Sequence, residues 1–118
     1  MTRVFSSESE MQAGIVEHAR YLGFHVHHSA RVLTPTGWRT PIVGDRGFPD
    51  LVLALDGDVF AWELKLPRQR IAPEQTAWGV ALGGLDGQAR LEYAIVRPKT
   101  YDLALDRLDQ IASGRRRR

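Results

Sequence analysis

The chain has no cysteine among its 118 residues, which excludes disulfides, zinc–thiolate sites and thiol nucleophiles. It has no apolar run long enough to cross a bilayer, and its first residues do not form the apolar core of a signal peptide. Internal repeats and low-complexity segments are also missing. These absences predict a soluble cytoplasmic protein that does not contact a membrane.

An excess of charge of one sign is missing as well, because the net charge is only +2. The last four residues are all arginine, so the chain without them is slightly acidic. This basic tail, 113–118, could follow a phosphate backbone through counterion release, or it could be a solvated terminus. The remaining length, 1–112, suits one compact domain with a sizeable apolar core.

Hydrophobic periodicity and helix-breaking residues predict the element order α-β-(loop)-β-β-α-β-α. A long loop follows the first strand, and 32–33 could pair weakly with 40–43 across it. The predicted helices cover 8–22, 73–82 and 101–111, and single strands cover 24–28 and 91–96. The hairpin between these strands is apolar on both faces, so the fold class is α/β, a mixed sheet with helices on both faces.

Residues 49–65 carry the most informative pattern, two apolar runs on either side of Asp56 and Gly57. Asp-Gly between apolar runs is typical of a hairpin with a type I′ turn, which needs positive φ at both central residues. That turn pairs the residues on either side of it, and counting back along both strands sets Asp50 opposite Glu63. Their Cβ atoms would be roughly 4.5–5.5 Å apart.

Two facing carboxylates destabilise a sheet unless something neutralises them. A divalent cation between Asp50 and Glu63 would do so, and Mg2+ prefers such hard oxygen ligands. Lys65 lies two residues beyond Glu63 and therefore on the same face. Two carboxylates, a metal and a neighbouring cation are the parts needed to hydrolyse a phosphodiester. The alternative is structural, a strand-end Asp, a Glu in a surface ion pair and an ordinary lysine.

The first helix offers a third acid. Glu8 falls within the apolar stripe of that helix and Glu10 projects from the opposite side. A carboxylate that points toward the core calls for a partner. Glu10 already has a structural role, because it lies three residues after Ser7 in capping-box spacing. We expect Glu8 to complete the site, with Glu10 as the alternative.

Several of these residues together resemble a known family. Pro49-Asp50 followed by Glu63-Leu64-Lys65 resembles the motif of PD-(D/E)xK nucleases. The surrounding residues sharpen this resemblance, and they are Glu8-x-x-x-Gln12, Gly23-Phe24, Gly47-Phe48-Pro49-Asp50 and Pro73-Glu74-Gln75. Together they are similar to the VRR-Nuc branch, which includes small phage enzymes described as Holliday-junction resolvases or endonucleases. The resemblance covers about residues 7–100 and implies a restriction-endonuclease-like core. One departure is the 28–47 segment, which is longer than in the compact phage members.

The resemblance implies a Mg2+-dependent endonuclease, with Mn2+ able to substitute, that cuts branched or otherwise structured DNA in a bacterial or phage-infected cytoplasm. Asp50, Glu63 and the Leu64 backbone carbonyl are the expected metal ligands. Lys65 would orient the attacking water or stabilise the transition state. Gln75 would hydrogen-bond a ligand or the phosphate, and Gln12 has either that role or none.

Arginines outside this set are expected to contact DNA phosphates, with a solvated surface as the alternative for each. They are Arg39 and Arg46 in the long loop, and Arg68 and Arg70 after the second hairpin strand. The histidines at 25, 27 and 28 lack the partners of a zinc site and are expected to face solvent or DNA.

One domain of this size covers one scissile phosphate, so cutting both strands would need a homodimer. A rival from another class is a nucleic-acid-binding module that keeps the fold without chemistry. A third possibility is a structural partner in a phage or replication complex. The intact set of two acids and a lysine favours the nuclease.

Overall fold

A computed structural model describes residues 3–30, 32–83 and 91–116. Its elements follow the predicted order, with a small extra hairpin inside the long loop. The helices are α1 (Glu8–Leu22), α2 (Pro73–Gly83) and α3 (Tyr101–Arg116), with a 3-10 turn at Pro98–Thr100. The strands are β1 (His25–His28), β2 (Val32–Thr34), β3 (Gly37–Arg39), β4 (Leu51–Leu55), β5 (Asp58–Leu64) and β6 (Leu91–Val96).

The main sheet has the strand order β1-β4-β5-β6. β1 and β5 both run antiparallel to β4, while β6 runs parallel to β5. A parallel pair needs a crossover connection, and α2 lies within that connection. The sheet is therefore mixed, and the predicted α/β class is confirmed.

Each face of the sheet carries different side chains because neighbours along a strand alternate. One face packs against α1 and α3 in a core that includes Met11, Ile15, Leu53, Phe60 and Leu108. The opposite face carries Ala61 and Glu63 on β5 and Tyr93 on β6, and α2 packs there. The close approach of α2 is visible at Gly79, where an added Cβ would lie 2.5 Å from the Tyr93 ring.

The central hairpin has the predicted register. Leu55 pairs with Asp58, and Asp56 and Gly57 have φ values of 48° and 89°, as a type I′ turn requires. The ladder continues to the pair Leu51 and Trp62, so the next opposed positions are Asp50 and Glu63. The turn chemistry alone thus sets which two acids meet at the open end of the hairpin.

Two predictions, one strand pairing and one helix end, differ from the structure by more than one residue. The expected pairing of 32–33 with 40–43 is wrong, because β2 pairs with β3, at 37–39. The tighter turn is stabilised by Thr34, whose hydroxyl donates to the Gly37 carbonyl at 2.7 Å and accepts from the Thr36 N–H at 3.3 Å. The last helix extends past its predicted end at 111 to Arg116, so part of the predicted tail is helical.

The side chains of 115–118 lie outside the described residues, and the proposed role of the tail stays a prediction. Within the described ranges, no helix has both the length and the apolar character needed to span a bilayer.

Candidate active site

Asp50 and Glu63 lie together at the open end of the central hairpin, on the face that α2 covers. Asp50 accepts a hydrogen bond from the Leu64 N–H at 2.9 Å, which fixes its carboxylate across the hairpin. The Glu63 side chain is only 1% exposed. Its Oε1 accepts from the Gln75 amide at 2.7 Å, whereas its Oε2 is buried and accepts no hydrogen bond from the described residues.

The charge on Glu63 is costly in this position. Burial is the main cause, followed by hydrogen bonding and charge repulsion from Asp50, and together they raise the pKa of Glu63 to about 9. Lys65 opposes this shift and Glu8 adds to it. Two carboxyl groups can hydrogen-bond to each other only when one of them holds a proton. Without a bound cation, Glu63 is therefore the group that holds the proton at neutral pH.

This donor set fits a divalent cation. A buried carboxylate oxygen that accepts no hydrogen bond and faces a second carboxylate is unfavourable until a proton or a cation neutralises it. Carboxylate and carbonyl oxygens are the ligands that suit Mg2+ and Mn2+. Within 3–30, 32–83 and 91–116, however, no three His, Asp or Glu side chains stand close enough to hold a metal. The protein thus offers two carboxylates, and Leu64 lines an open cleft together with Asp50.

Gln75 connects the start of α2 to the acidic pair. Its side-chain oxygen accepts from the Ala72 N–H at 2.8 Å, and this contact orients the amide nitrogen toward Glu63. The predicted contact of Gln75 with a candidate metal ligand is therefore present, and its role in catalysis stays a prediction.

Glu8 is held by a residue that the sequence analysis missed. The Gln69 amide donates to Glu8 Oε2 at 2.7 Å, and the Gln69 side-chain oxygen accepts from the Leu66 N–H at 2.6 Å. Arg97 fastens this turn by donating to the carbonyl of Leu66 at 2.8 Å and to that of Gln69 at 3.1 Å. Gln69 thus positions Glu8 as Gln75 positions Glu63.

The two glutamines end two short segments of similar sequence. Leu66-Pro67-Arg68-Gln69 and Ala72-Pro73-Glu74-Gln75 share the pattern x-Pro-x-Gln. In each, the backbone N–H of the glutamine donates to the carbonyl of the first residue, at 3.1 Å and 3.0 Å. Proline favours the second position of such a turn. Each glutamine oxygen then binds the first N–H of its turn, which leaves the amide nitrogen free to reach a carboxylate.

Glu8 and Glu10 have different partners and positions, which favour Glu8 as the acid of the site. Glu10 is exposed, and its carboxylate accepts from both the N–H and the hydroxyl of Ser6, which lowers the pKa of Glu10. The Ser7 hydroxyl accepts from the Glu10 N–H at 3.1 Å, so half of the predicted capping box is present and the reciprocal half closes on Ser6. Glu8 lines the cavity beside Asp50 and Glu10 does not.

A cleft of about 600 Å³ opens beside these residues. Gln12 and His28 line it from α1 and β1, and Asp50 and Gln75 line it from the hairpin and α2. Gly47 also lines the cleft, with a φ of 93°, and an added Cβ there would lie 2.5 Å from the backbone of Glu74. Only glycine fits this close approach, which leads the chain into Phe48-Pro49-Asp50.

The architecture matches a known structure. A solved structure described as a VRR_NUC domain has a TM-score of 0.57 and 22% identity to this chain, covering 84% of this chain and 94% of the other. The chain has a VRR_NUC fold. This likeness confirms the predicted resemblance and fold class at the level of the fold. Neither the protein-family models nor the curated proteins give a match.

Lys65 follows directly after β5 in this VRR_NUC fold, and its backbone N–H donates to the Val96 carbonyl at 3.0 Å. Its charge reaches Glu63, since it lowers the pKa of that carboxyl against the other influences. No hydrogen bond or ion pair holds the Lys65 side chain within the described part of the chain. The role of Lys65 in catalysis stays a prediction.

The four predicted DNA-binding arginines are all exposed, and none makes an ion pair with the described residues. None of them lines the cleft itself. Thr40 and Gly47 do line it, and they are the sequence neighbours of Arg39 and Arg46, so these two arginines flank the opening. The four are Arg39, Arg46, Arg68 and Arg70.

Tyr93 is a second residue that the sequence analysis missed. It pairs with Ala61 and so shares a face with Glu63, and its hydroxyl is buried without a hydrogen-bond partner among the described residues. Burial raises the pKa of Tyr93, and the charges of Glu63 and Asp50 raise it further. An isolated Tyr in a strand carries no sequence signal for this placement, which depends on how β6 joins the sheet.

Proposed function

We propose that the protein is a Mg2+-dependent DNA endonuclease, a phosphodiester hydrolase in which Mn2+ can replace Mg2+. The observation that carries the proposal is the buried Glu63 oxygen that accepts no hydrogen bond from the described residues and faces Asp50 beside an open cleft. Structural stability alone gives no reason to bury a carboxyl group whose charge is so disfavoured. A site built to bind a cation does give one.

In this proposal Asp50, Glu63 and the Leu64 carbonyl would hold the ion. When bound, it would supply charge stabilisation at the phosphate and a more acidic water. Gln75 orients Glu63 through its 2.7 Å hydrogen bond, and Gln69 orients Glu8 at the same distance. These contacts keep both carboxylates in fixed positions, so little reorganisation is needed when a substrate arrives.

Lys65 is the candidate for the proton transfer or for stabilising charge on the phosphate in the transition state. Its side chain has no partner to give up within the described residues. The exposed arginines beside the cleft would contact the phosphodiester backbone and set the position of the DNA without reading its sequence.

The finer parts of the proposal concern the substrate and the assembly. We expect branched or structured DNA to be preferred, a homodimer to cut paired strands, and the protein to act in a bacterial or phage-infected cytoplasm. Light scattering with and without DNA tests the dimer, and a monomer in both conditions would remove paired cutting.

A plasmid and a labelled four-way junction, incubated with Mg2+, Mn2+ or EDTA, test the activity directly. The wild-type protein should cut with either metal and not with EDTA, and Asp50→Asn should abolish cutting. Asp106→Asn is the matched control, because Asp106 is an exposed carboxylate on α3. Cutting by Asp50→Asn at the wild-type rate would remove the assignment of the active site.

One observation favours the rival, a nucleic-acid-binding module without chemistry. The described residues contain no group of three metal-binding side chains. Binding of DNA without cutting under every metal would support that module in place of the nuclease.

A further inference from the structure

The β2–β3 hairpin presents an apolar pair that nothing in the described structure covers. Leu33 and Trp38 are directly paired across the two strands, so their side chains lie on the same face. Their exposed fractions are 65% and 61%. A tryptophan is rarely left this exposed unless the surface has a partner, because a Trp can bury about 150–250 Å².

The position of the hairpin connects this pair to the cleft. Ala30, just before β2, and Thr40, just after β3, both line the cleft that contains Asp50. Trp38 is two residues from Thr40, a distance of roughly 7 Å along a strand. Ile42 and Phe48, which line the same cleft, are also partly exposed apolar residues, at 48% and 44%. Exposed apolar side chains thus lie both on the hairpin and in the cleft that the two ends of the hairpin line.

The charge around the hairpin indicates the chemistry of its partner. From Phe24 to Gly44 the sequence contains no Asp or Glu, but it contains three histidines and two arginines. Arg39, paired with Val32, is exposed and makes no ion pair within the described residues. A partner that joins planar apolar groups to negative charge fits such a surface, and unpaired nucleotides have both properties.

A second copy of the chain fits less well. A stable protein interface buries about 800 Å² on each partner, with a well-packed centre. One Trp and one Leu on a two-stranded hairpin supply only a fraction of that area. The basic surroundings would also face each other in a symmetric dimer, which is unfavourable.

We propose that the β2–β3 hairpin is a base-stacking element, in which Trp38, supported by Leu33, stacks on unpaired bases of DNA whose backbone runs through the cleft. This inference rests on the proposed function in one respect, that the cleft takes a DNA backbone. It assigns a substrate feature to particular residues: DNA with unpaired bases next to the cleaved phosphate should be preferred to a continuous duplex. The hairpin must hold its shape for this role, and the Thr34 hydrogen bonds to Thr36 and Gly37 provide that.

The test is equilibrium binding in EDTA, where no cleavage occurs, using a labelled blunt duplex and the same duplex with an unpaired tail. Trp38→Ala should weaken binding to the tailed DNA roughly 10-fold, as expected for the loss of one base-stacking contact. It should change binding to the blunt duplex less than about 2-fold, and Trp38→Phe should keep most of the preference. Tyr21→Ala is the control, because Tyr21 is an aromatic residue at the end of α1 that is 81% exposed.

A second measurement does not depend on the fold of the alanine variant. Adding oligothymidylate to a Trp78→Phe protein should quench its fluorescence, and adding Trp38→Phe to that protein should remove the quenching. The one tryptophan left is then Trp62, which is only 3% exposed. Equal weakening on both DNAs, or no change on either, overturns the proposal. Self-association that Trp38→Ala abolishes would overturn it too and assign the surface to a second copy.

The outcomes separate this inference from the proposed activity. Tail-dependent binding through Trp38 without cutting under any metal would leave the hairpin proposal standing and end the nuclease proposal. Metal-dependent cutting with no effect of Trp38→Ala on DNA preference would do the reverse.

Discussion

Replacing Glu63 with glutamine should make the metal-free protein more stable at neutral pH while it removes the proposed activity. Glutamine has nearly the same shape, can accept the Gln75 hydrogen bond through its oxygen, and can donate to Asp50 through its nitrogen. What it removes is a group that must stay protonated in the folded protein. The substitution therefore isolates the free energy linked to that proton.

The magnitude follows from the pKa shift of Glu63. Below its ordinary pKa of 4.5, both the folded and the unfolded protein hold the proton, and stability does not depend on this group. Above 4.5 the unfolded chain loses the proton and the folded protein keeps it, so stability falls as pH rises, until the raised pKa of the folded state is reached. From 4.5 to 7 is 2.5 pH units, which at about 1.36 kcal/mol per unit gives a loss of about 3 kcal/mol. This loss of stability between pH 4.5 and 7 is the same for any pKa of Glu63 in the folded state that lies well above 7.

Urea unfolding in EDTA, at a series of pH values from 4.5 to 7, measures this effect. The free energy of unfolding of Glu63→Gln minus that of the wild type should increase by about 3 kcal/mol over the series. Glu74→Gln makes the same chemical change at an exposed position on α2 and should track the wild type. Parallel pH dependences for Glu63→Gln and the wild type would refute the inference that the folded protein buries a protonated carboxyl group.

The remaining predictions concern the residues that support the site. Gln75→Ala should weaken the affinity for Mn2+ about 10-fold or more, as expected for loss of a hydrogen bond to a metal ligand. Melting curves recorded at increasing Mn2+ concentrations measure this affinity through the thermal stabilisation that the metal gives. Gln69→Ala should leave that affinity within about 2-fold and lower the single-turnover rate about 10-fold, because Gln69 positions Glu8 and not Glu63. An unchanged rate would show that the Gln69 contact does not contribute to the reaction. Gly79→Ala should lower the free energy of unfolding by about 1–3 kcal/mol, because its Cβ would lie 2.5 Å from Tyr93. Gly83→Ala, with its Cβ 3.9 Å from Tyr93, should show no such clash. Thermal melting of both glycine variants tests this pair, and equal losses would show that α2 shifts to relieve the contact.

The central hairpin could be predicted from sequence because its determinants are local. Asp56 and Gly57 require a particular turn, the turn sets the register, and the register alone brings Asp50 opposite Glu63. The first helix could also be predicted from sequence, since Ser7 and Gly23 satisfy the free backbone groups at its two ends.

The missed features depend on contacts between distant parts of the chain. Gln69 reaches Glu8 only because Arg97, the residue after β6, holds the 66–69 turn in place. Tyr93 faces the acids only because β6 joins β5 in one parallel register. The β2–β3 register was set by side-chain hydrogen bonds of Thr34, which compete with the backbone pairing expected from hydrophobic pattern.

Calorimetric titration of the protein with Mn2+ at pH 7, repeated in buffers with different ionisation enthalpies, asks whether the two acids bind a metal together. Binding should release about one proton per protein, the one that Glu63 gives up to the metal, and Asp50→Asn and Glu63→Gln should each abolish the binding. Binding that persists unchanged in Asp50→Asn, or that releases no proton, would contradict a metal site formed by Asp50 and Glu63.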